Sequence, residues 1–184
     1  AEEQDAQLYR YLARVALQAA KPPAQRDAQL EHSVAEHRKL GEDCYSLQAH
    51  LVLAETHLLR GDLAAAGKAL ADAQQLQAHH GVYTSERLRL QAALQAASDP
   101  CLPGSEQDKL VRRTYRAAVE SSSDAGAVLF ALRSATALLL YARLRGQAEA
   151  EAKSVAALLK RCEAGAEAPD LDDATAALAL SLAA

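Results

Sequence analysis

Apolar side chains recur at helical spacing along this chain, in segments of about 15–20 residues. In the first segment, for example, Leu8, Leu12, Val15 and Ala19 lie on one stripe. Glycine, proline or serine separates the segments, at Pro22-Pro23, Gly41, Gly61, Gly81, Pro100 to Gly104, Ser121 to Asp124, Gly146, and Gly165 to Pro169. The early breaks recur about every twenty residues, which is typical of a helical repeat array.

This pattern predicts an all-α chain of about nine helices in a single helical-repeat domain over residues 1–184. We expect antiparallel helix pairs over roughly 4–40, 43–79, 84–122 and 124–163, with a terminal helix over 170–182. The predicted architecture is a tetratricopeptide-like superhelical stack of these pairs.

Local signals mark where individual helices end and begin. Gly61 and Gly146 are predicted to end helices, because glycine readily takes the left-handed conformation of a C-terminal cap. Asp62 is predicted to cap the next helix. Ser105 and Asp108 have the spacing of a capping box. For the helix of residues 124–146, the predicted cap is Ser123 or Asp124.

Composition strengthens the helical prediction. Half of the residues are hydrophobic, and alanine makes up about a quarter of the chain and leucine about a sixth. Both residues favour helices, whereas the aromatic residues that favour strands make up only 4%. The chain starts at Ala1 and contains no methionine, so we expect it to be a piece of a longer protein.

Charge and cysteine content argue against several classes of protein. The net charge of −4 lacks the basic excess of a nucleic-acid-binding domain, and Arg112, Arg113 and Arg116 are interpreted as a solvated helix face. Three widely spaced cysteines favour a reducing compartment, and we expect a cytoplasmic location. No apolar run approaches the length of a membrane span.

One segment fits the tetratricopeptide motif residue by residue. Leu53 and Ala54 lie in its first helix, Gly61-Asp62 form the turn, and Ala66, Leu70 and Ala73 follow as small, large and small residues. The alanines are expected where the two helices cross closely. His50 and His57 replace the aromatic residues of the motif, which is a departure from it. A second unit turns at Gly146, but Glu151 stands where a small residue is expected.

Residues 47–180 resemble the C-terminal helical-repeat region of bacterial multidomain signalling ATPases and of transcriptional regulators like the maltose-regulon activator. The resemblance rests on residues 53–62, on Tyr115 to Val119, and on Gly165 to Leu171. It implies a sensor or scaffold arm that follows an ATPase module. No G-x-x-x-x-G-K-[ST] loop occurs in this chain itself.

The register of the motif also predicts a concave groove lined by the first helix of each pair. The side chains expected to face this groove and to contact a partner are Gln48, Leu51, Glu55, Leu58, Arg133, Thr136, Leu140 and Arg143. The alternative for each of them is a contact with the next helix pair.

No arrangement in the sequence predicts catalysis, a metal or a cofactor. His50 and His57 lack the spacing of a metal site and are interpreted as packing residues. The three cysteines and Ser121 to Ser123 are interpreted as packing, loop, cap or turn residues. The carboxylates of Asp170, Asp172 and Asp173 lack the pattern of a calcium loop and are interpreted as a solvated first turn.

The sequence therefore favours a non-catalytic interaction or sensor module of a larger bacterial regulatory ATPase or transcriptional regulator. Its partner would be a protein or peptide, the upstream ATPase domain of the same chain, or a small inducer. A stand-alone tetratricopeptide chaperone or adaptor is the alternative, and an enzyme on a helical scaffold is a third hypothesis.

Overall fold

A computed structural model describes residues 43–76, 83–98, 102–162 and 169–182. Within these ranges the chain is all-α, as predicted, and contains no strand. The seven helices are α1 (Asp43–Leu59), α2 (Leu63–Leu76), α3 (Thr84–Ser98), α4 (Glu106–Asp124), α5 (Val128–Arg143), α6 (Glu149–Leu159) and α7 (Pro169–Leu182). The two helices predicted within residues 4–40 lie outside the described residues.

Each helix packs against the next one in the chain, and the odd-numbered helices also contact one another in series, from α1 to α3, α5 and α7. We call these four helices the odd row. Helices α5 and α7 run parallel, because Arg133 bonds to Asp170 and Arg143, ten residues later, bonds to Leu180, also ten residues later. Helices α4 and α5 run antiparallel, because Tyr141 near the end of α5 bonds to Asp108 near the start of α4.

Glycine turns close two of the helix pairs. Gly61 and Gly146 have φ angles of 76° and 67°, which an L side chain rarely adopts. At the first turn, Asp62 N donates to His57 O at 2.9 Å, the six-to-one bond of a Schellman motif, and the same pattern recurs at Gly146. Asp62 Oδ1 then accepts a bond from Ala65 N at 3.0 Å, so the predicted cap of α2 is confirmed.

The start of α4 also follows the sequence signal. Ser105 is the N-cap of α4, and its Oγ accepts a hydrogen bond from Asp108 N at 3.1 Å. The carboxylate of Asp108 accepts from Gly104 N at 3.0 Å rather than from Ser105 N. The predicted Ser105 cap is therefore confirmed, but the return bond to the Asp108 carboxylate comes from Gly104 N, one residue before the cap.

The predicted cap of α5 was wrong. Ser123 and Asp124 belong to the last turn of α4, and the chain turns at Gly126, whose φ is 72°. The N-cap of α5 is Ala127, which forms no side-chain cap bond. The serines continue the helix because a hydroxyl can bond within it, as Ser122 does to the carbonyl one turn earlier.

Three clusters form the core of the described residues. The first cluster lies between α1, α2 and α3, the second between α5, α6 and α7, and the third between α3, α4 and α5. In α1 and α2 the motif alanines Ala54, Ala66 and Ala73 are completely buried, as expected for side chains at a close helix crossing. No helix in the described ranges is both long and apolar enough to span a membrane.

Candidate binding surface

A chain of ion pairs connects all four helices of the odd row. Arg89 on α3 bonds Glu55 of α1 at 2.7 Å through Nη2, and it also pairs with Glu86, one turn earlier on α3. Glu86 Oε1 lies 3.4 Å from Arg133 Nη1 on α5. Arg133 in turn holds both carboxylate oxygens of Asp170 on α7, at 2.7 and 2.8 Å. We call these five residues the ionic ladder.

The centre of the ionic ladder is buried, yet every charge in it has a partner. Burial by itself raises the pKa of Glu86, but the charges and hydrogen bonds of Arg89 and Arg133 outweigh burial and hold that pKa below its ordinary value. Burial likewise opposes the charge of each arginine, and their carboxylate partners overcome it and raise the pKa of both. Glu86, Arg89 and Arg133 thus remain ionised at neutral pH.

The structure separates the eight predicted groove residues into two sets. Gln48, Leu51 and Thr136 are buried, so the prediction that they face an open groove was wrong. The physical reason is that the odd-numbered helices pack directly against one another. Leu51, for example, is part of the first cluster, which lies between α1, α2 and α3.

The other five predicted residues reach the surface to different degrees. Glu55 and Arg133 are brought together through α3, since both bond into the ionic ladder while their side chains stay 42% and 37% exposed. Leu58 is half-buried against the first cluster, and Leu140 is 41% exposed. Arg143 is half-buried and donates from Nε to Leu180 O at 3.1 Å.

An accessible stripe of leucines and one arginine runs along α5. Its members are spaced by four, seven and four residues, so they share one side of the helix, and they are Leu129, Arg133, Leu140 and Leu144. Leu144 is 82% exposed and Leu129 37%. Leu180 of α7, also 48% exposed, flanks the same end of α5. We call these residues, three from α5 and its C-cap Leu144, the α5 stripe.

The sequence analysis missed a second charged network, centred on Asp108. This carboxylate is buried and accepts from the Tyr141 hydroxyl at 2.8 Å and from Gly104 N. Arg112 Nε and Arg145 Nε each lie 3.2 Å from one of its oxygens. Burial alone raises the pKa of Asp108, but the bonds from Gly104, Tyr141 and Arg112 hold it below the ordinary value.

Glu151 of α6 extends this network between the even-numbered helices α4 and α6. It is buried, bonds Arg116 at 2.8 Å and lies 3.8 Å from Arg112. The departure of Glu151 from the repeat motif thus has a physical reason, because a carboxylate there neutralises arginines on α4. The interpretation of Arg112 as part of a solvated face was wrong, whereas Arg113 is exposed as that interpretation requires.

The first turn of α7 also departs from its prediction. Asp172 and Asp173 are exposed, as expected for a solvated turn, but Asp170 is only 16% exposed because it pairs with Arg133. The sequence signal for this pair is weak, since an acidic first turn is common in helices.

A cleft of about 260 Å³ opens between α4, α5 and α6. Its lining includes Arg116, Val119, Leu138, Glu151 and Ser154, and none of the predicted groove residues. Three charged residues, Arg116, Glu120 and Glu151, lie in its wall, and Arg116 and Glu151 already neutralise each other. The cleft therefore presents no unpaired charge from this pair to a ligand.

The described residues contain no group of three or more His, Cys, Asp or Glu side chains that could hold a metal. His50 is buried, and His57 Nδ1 lies 4.0 Å from Asp62 Oδ2. Cys162 Sγ contacts Leu158 O at 3.5 Å, whereas Cys101 and the side chain of Cys44 lie outside the described part.

Comparison of the chain with protein-family models, curated proteins and solved structures gave no significant match. The resemblance to the helical-repeat region of signalling ATPases therefore stays a prediction. The fold class, the ionic ladder and the α5 stripe are the observations from which a function can be argued.

Proposed function

We propose that this chain is a non-catalytic interaction or sensor module, built as a tetratricopeptide-like stack and serving a larger bacterial regulatory ATPase or transcriptional regulator. Three features support the stack: parallel packing of α5 and α7, glycine turns between helices, and buried alanines at motif positions. A stack of this kind places the first helices of successive pairs side by side along one surface.

The α5 stripe is the observation that carries this proposal. A helix in a soluble domain normally buries its leucines, and contiguous exposed apolar side chains mark contact sites. Here Leu140 is exposed on α5, an inner helix of the odd row, and Leu144 is exposed at the C-cap of that helix. Arg133 lies two helical turns before Leu140 on the same side. The surface thus suits a partner that presents apolar side chains, since the charge of Arg133 is already paired with Asp170 and Glu86.

The module would change the activity of a catalytic domain in the larger protein through small rotations between helix pairs. A ligand on the α5 stripe touches the helix that contacts α3, α4, α6 and α7, so its binding would favour one arrangement of these neighbours. A peptide, a partner domain or a small inducer could act in this way.

Site-specific photo-crosslinking in cells tests the proposal, because it captures a partner whose identity is still open. A photoreactive phenylalanine analogue replaces Leu140 or Leu144 in one set of chains, and Lys153 in the matched control. Lys153 is exposed on α6 and, among the residues that the structure describes, bonds its helix neighbour Glu149. We expect a discrete adduct from the two α5 positions and none from the control.

Identification of the adduct by mass spectrometry then distinguishes an ATPase domain of the same parent chain from a separate protein. The proposal fails if Leu140 and Leu144 give no adduct, or if the Lys153 position gives the same products in the same yield.

A further inference from the structure

Helix α7 is held to the rest of the chain by few buried side chains. Among its described side chains only Ala174 and Ala177 are fully covered, and Leu171 and Leu178 are partly buried against the second cluster. By contrast, nine side chains of α5 are buried. The most specific contact of α7 is therefore the two-bond ion pair between Asp170 and Arg133.

The surface beneath α7 is a groove between α5 and α6. Its floor is apolar, because Leu132 and Leu139 of α5 and Val155 and Leu158 of α6 share the second cluster with the α7 alanines. Arg133 lies at one end of this groove, where it receives the first turn of α7. Removal of α7 would uncover the part of this apolar floor that Ala174 and Ala177 contact, and would free Arg133 from Asp170.

The groove recognises a helix at both of its ends. Arg133 binds a carboxylate in the first turn, and Arg143 donates to Leu180 O, one of the last four carbonyls that a helix cannot bond internally. The two contacts are ten residues apart on each helix, or about 15 Å along the axis. An extended peptide could not keep this spacing together with apolar contacts four and seven residues after the acid.

We propose that this α5–α6 groove is a helix-exchange site, in which α7 stands in for a helix of a partner protein. The partner helix carries an acidic side chain in its first turn. Counted from that acid, it has small apolar residues at the fourth and seventh positions and larger apolar residues at the first and eighth positions. These are the positions of Ala174, Ala177, Leu171 and Leu178 relative to Asp170.

This inference rests on the proposed function, because it names the class of partner that an interaction module would bind. Because α7 occupies the groove, the apparent affinity for that partner equals the intrinsic affinity multiplied by the fraction of chains in which the groove is open. Loss of the Asp170 carboxylate should therefore make the module bind more tightly.

Hydrogen exchange on the full chain tests the first requirement, that α7 leaves without global unfolding. We expect the α7 amides to exchange faster than those of α5, and about tenfold faster again in the Asp170→Asn chain. Asp173→Asn is the matched control, since it removes an equivalent charge from the same turn but no ion pair with Arg133. Equal exchange of α7 and α5 in the unaltered chain would overturn the inference.

Fluorescence anisotropy tests the second requirement, with a labelled, end-blocked peptide of residues 169–182 as the probe. We expect it to bind the Asp170→Asn chain about tenfold more tightly than the unaltered chain. A peptide that itself carries Asp170→Asn should lose about tenfold in affinity, and one that carries Asp173→Asn should not.

The outcomes separate this inference from the proposed function. No saturable binding to the Asp170→Asn chain overturns the exchange site, while crosslinks from the α5 stripe would still support an interaction module. Dimerisation of the Asp170→Asn chain without peptide binding also overturns it, because α7 would then exchange between copies of this chain rather than yield to a partner.

Discussion

At the scale of single residues, buried carboxylates organise the charged side chains of this molecule. Asp108 and Glu86 each face two arginines, and both are removed from solvent. A buried ion costs several kcal/mol of desolvation unless partners compensate it. Removal of one member should therefore harm stability far more than removal of a surface charge.

Asp108→Ala is expected to lower the free energy of unfolding by roughly 3–5 kcal/mol, because Arg112 and Arg145 keep their charges after the carboxylate is lost. Urea denaturation followed by circular dichroism measures the change. Asp124→Ala, at the exposed end of the same helix, is the matched control and should cost under about 1 kcal/mol. Equal costs for the two variants would contradict the assigned role of Asp108.

The lowered pKa values of Glu86 and Asp108 predict the direction of acid sensitivity. Since the unfolded chain takes up these protons first, their stabilisation is complete above about pH 4.5 and is lost as the pH falls through the lower folded pKa values. Denaturation midpoints between pH 7 and pH 3 measure this loss. The denaturation midpoint of the Glu86→Gln chain should depend less steeply on pH than that of the unaltered chain, and an equal dependence would contradict the role of Glu86.

At the scale of elements, each helix end is decided by a few neighbouring residues. Glycines in the left-handed region stop α1, α4 and α5, and their bonds reach back no more than five residues. This explains why the ends of α1 and α5 could be predicted. The end of α4 was misplaced because serines at residues 121–123 were interpreted as a break, although the helix accepts them.

Substitution by alanine should change the stability of the folded chain in opposite directions at two of the glycines. Gly126→Ala is expected to destabilise by about 1 kcal/mol, because the φ of 72° is strained for an L side chain. Gly67 lies inside α2, and an added Cβ would meet Leu94 Cδ2 at 3.7 Å, an ordinary contact. Gly67→Ala should therefore stabilise by about 0.5–1 kcal/mol. Thermal unfolding of both variants decides this, and a shift in the same direction would contradict the turn assignment.

At the scale of the whole molecule, the ionic ladder joins helices from three successive helix pairs and the terminal helix. Arg89 is its branching point, since it bonds Glu55 on α1 and Glu86 on its own helix. The ladder therefore couples α1 to α3 and, through Glu86 and Arg133, to α5 and α7.

Arg89→Ala should lower the free energy of unfolding by roughly 3–5 kcal/mol, because Glu86 would stay buried with only the longer contact to Arg133. The exposed Arg113→Ala is the control, with an expected change within about 0.5 kcal/mol. Hydrogen exchange should show the loss of protection spreading from α3 to α1 and α5. A loss confined to α3 would mean that the ladder does not couple the helices.

The candidate site could be predicted only in part. The repeat register selected Glu55, Arg133, Leu140 and Arg143, all of which reach the surface, but it also selected side chains that neighbouring helices bury. The spacing of the repeat motif indicates which side of a helix faces the other helix of the same pair. It carries no information on how closely the next pair approaches, and this distance decides whether a groove is open.

The sequence by itself determined the all-α class, most ends of the described helices and the buried alanines of α1 and α2, because these depend on periodicity and on bonds between residues close in the chain. Only the tertiary structure decided which charges meet: Glu55 and Arg89 are 34 positions apart, and Arg133 and Asp170 are 37. Coulomb pairing depends on distance in space, and every one of these side chains was equally compatible with a solvated helix face until packing brought its partner within reach.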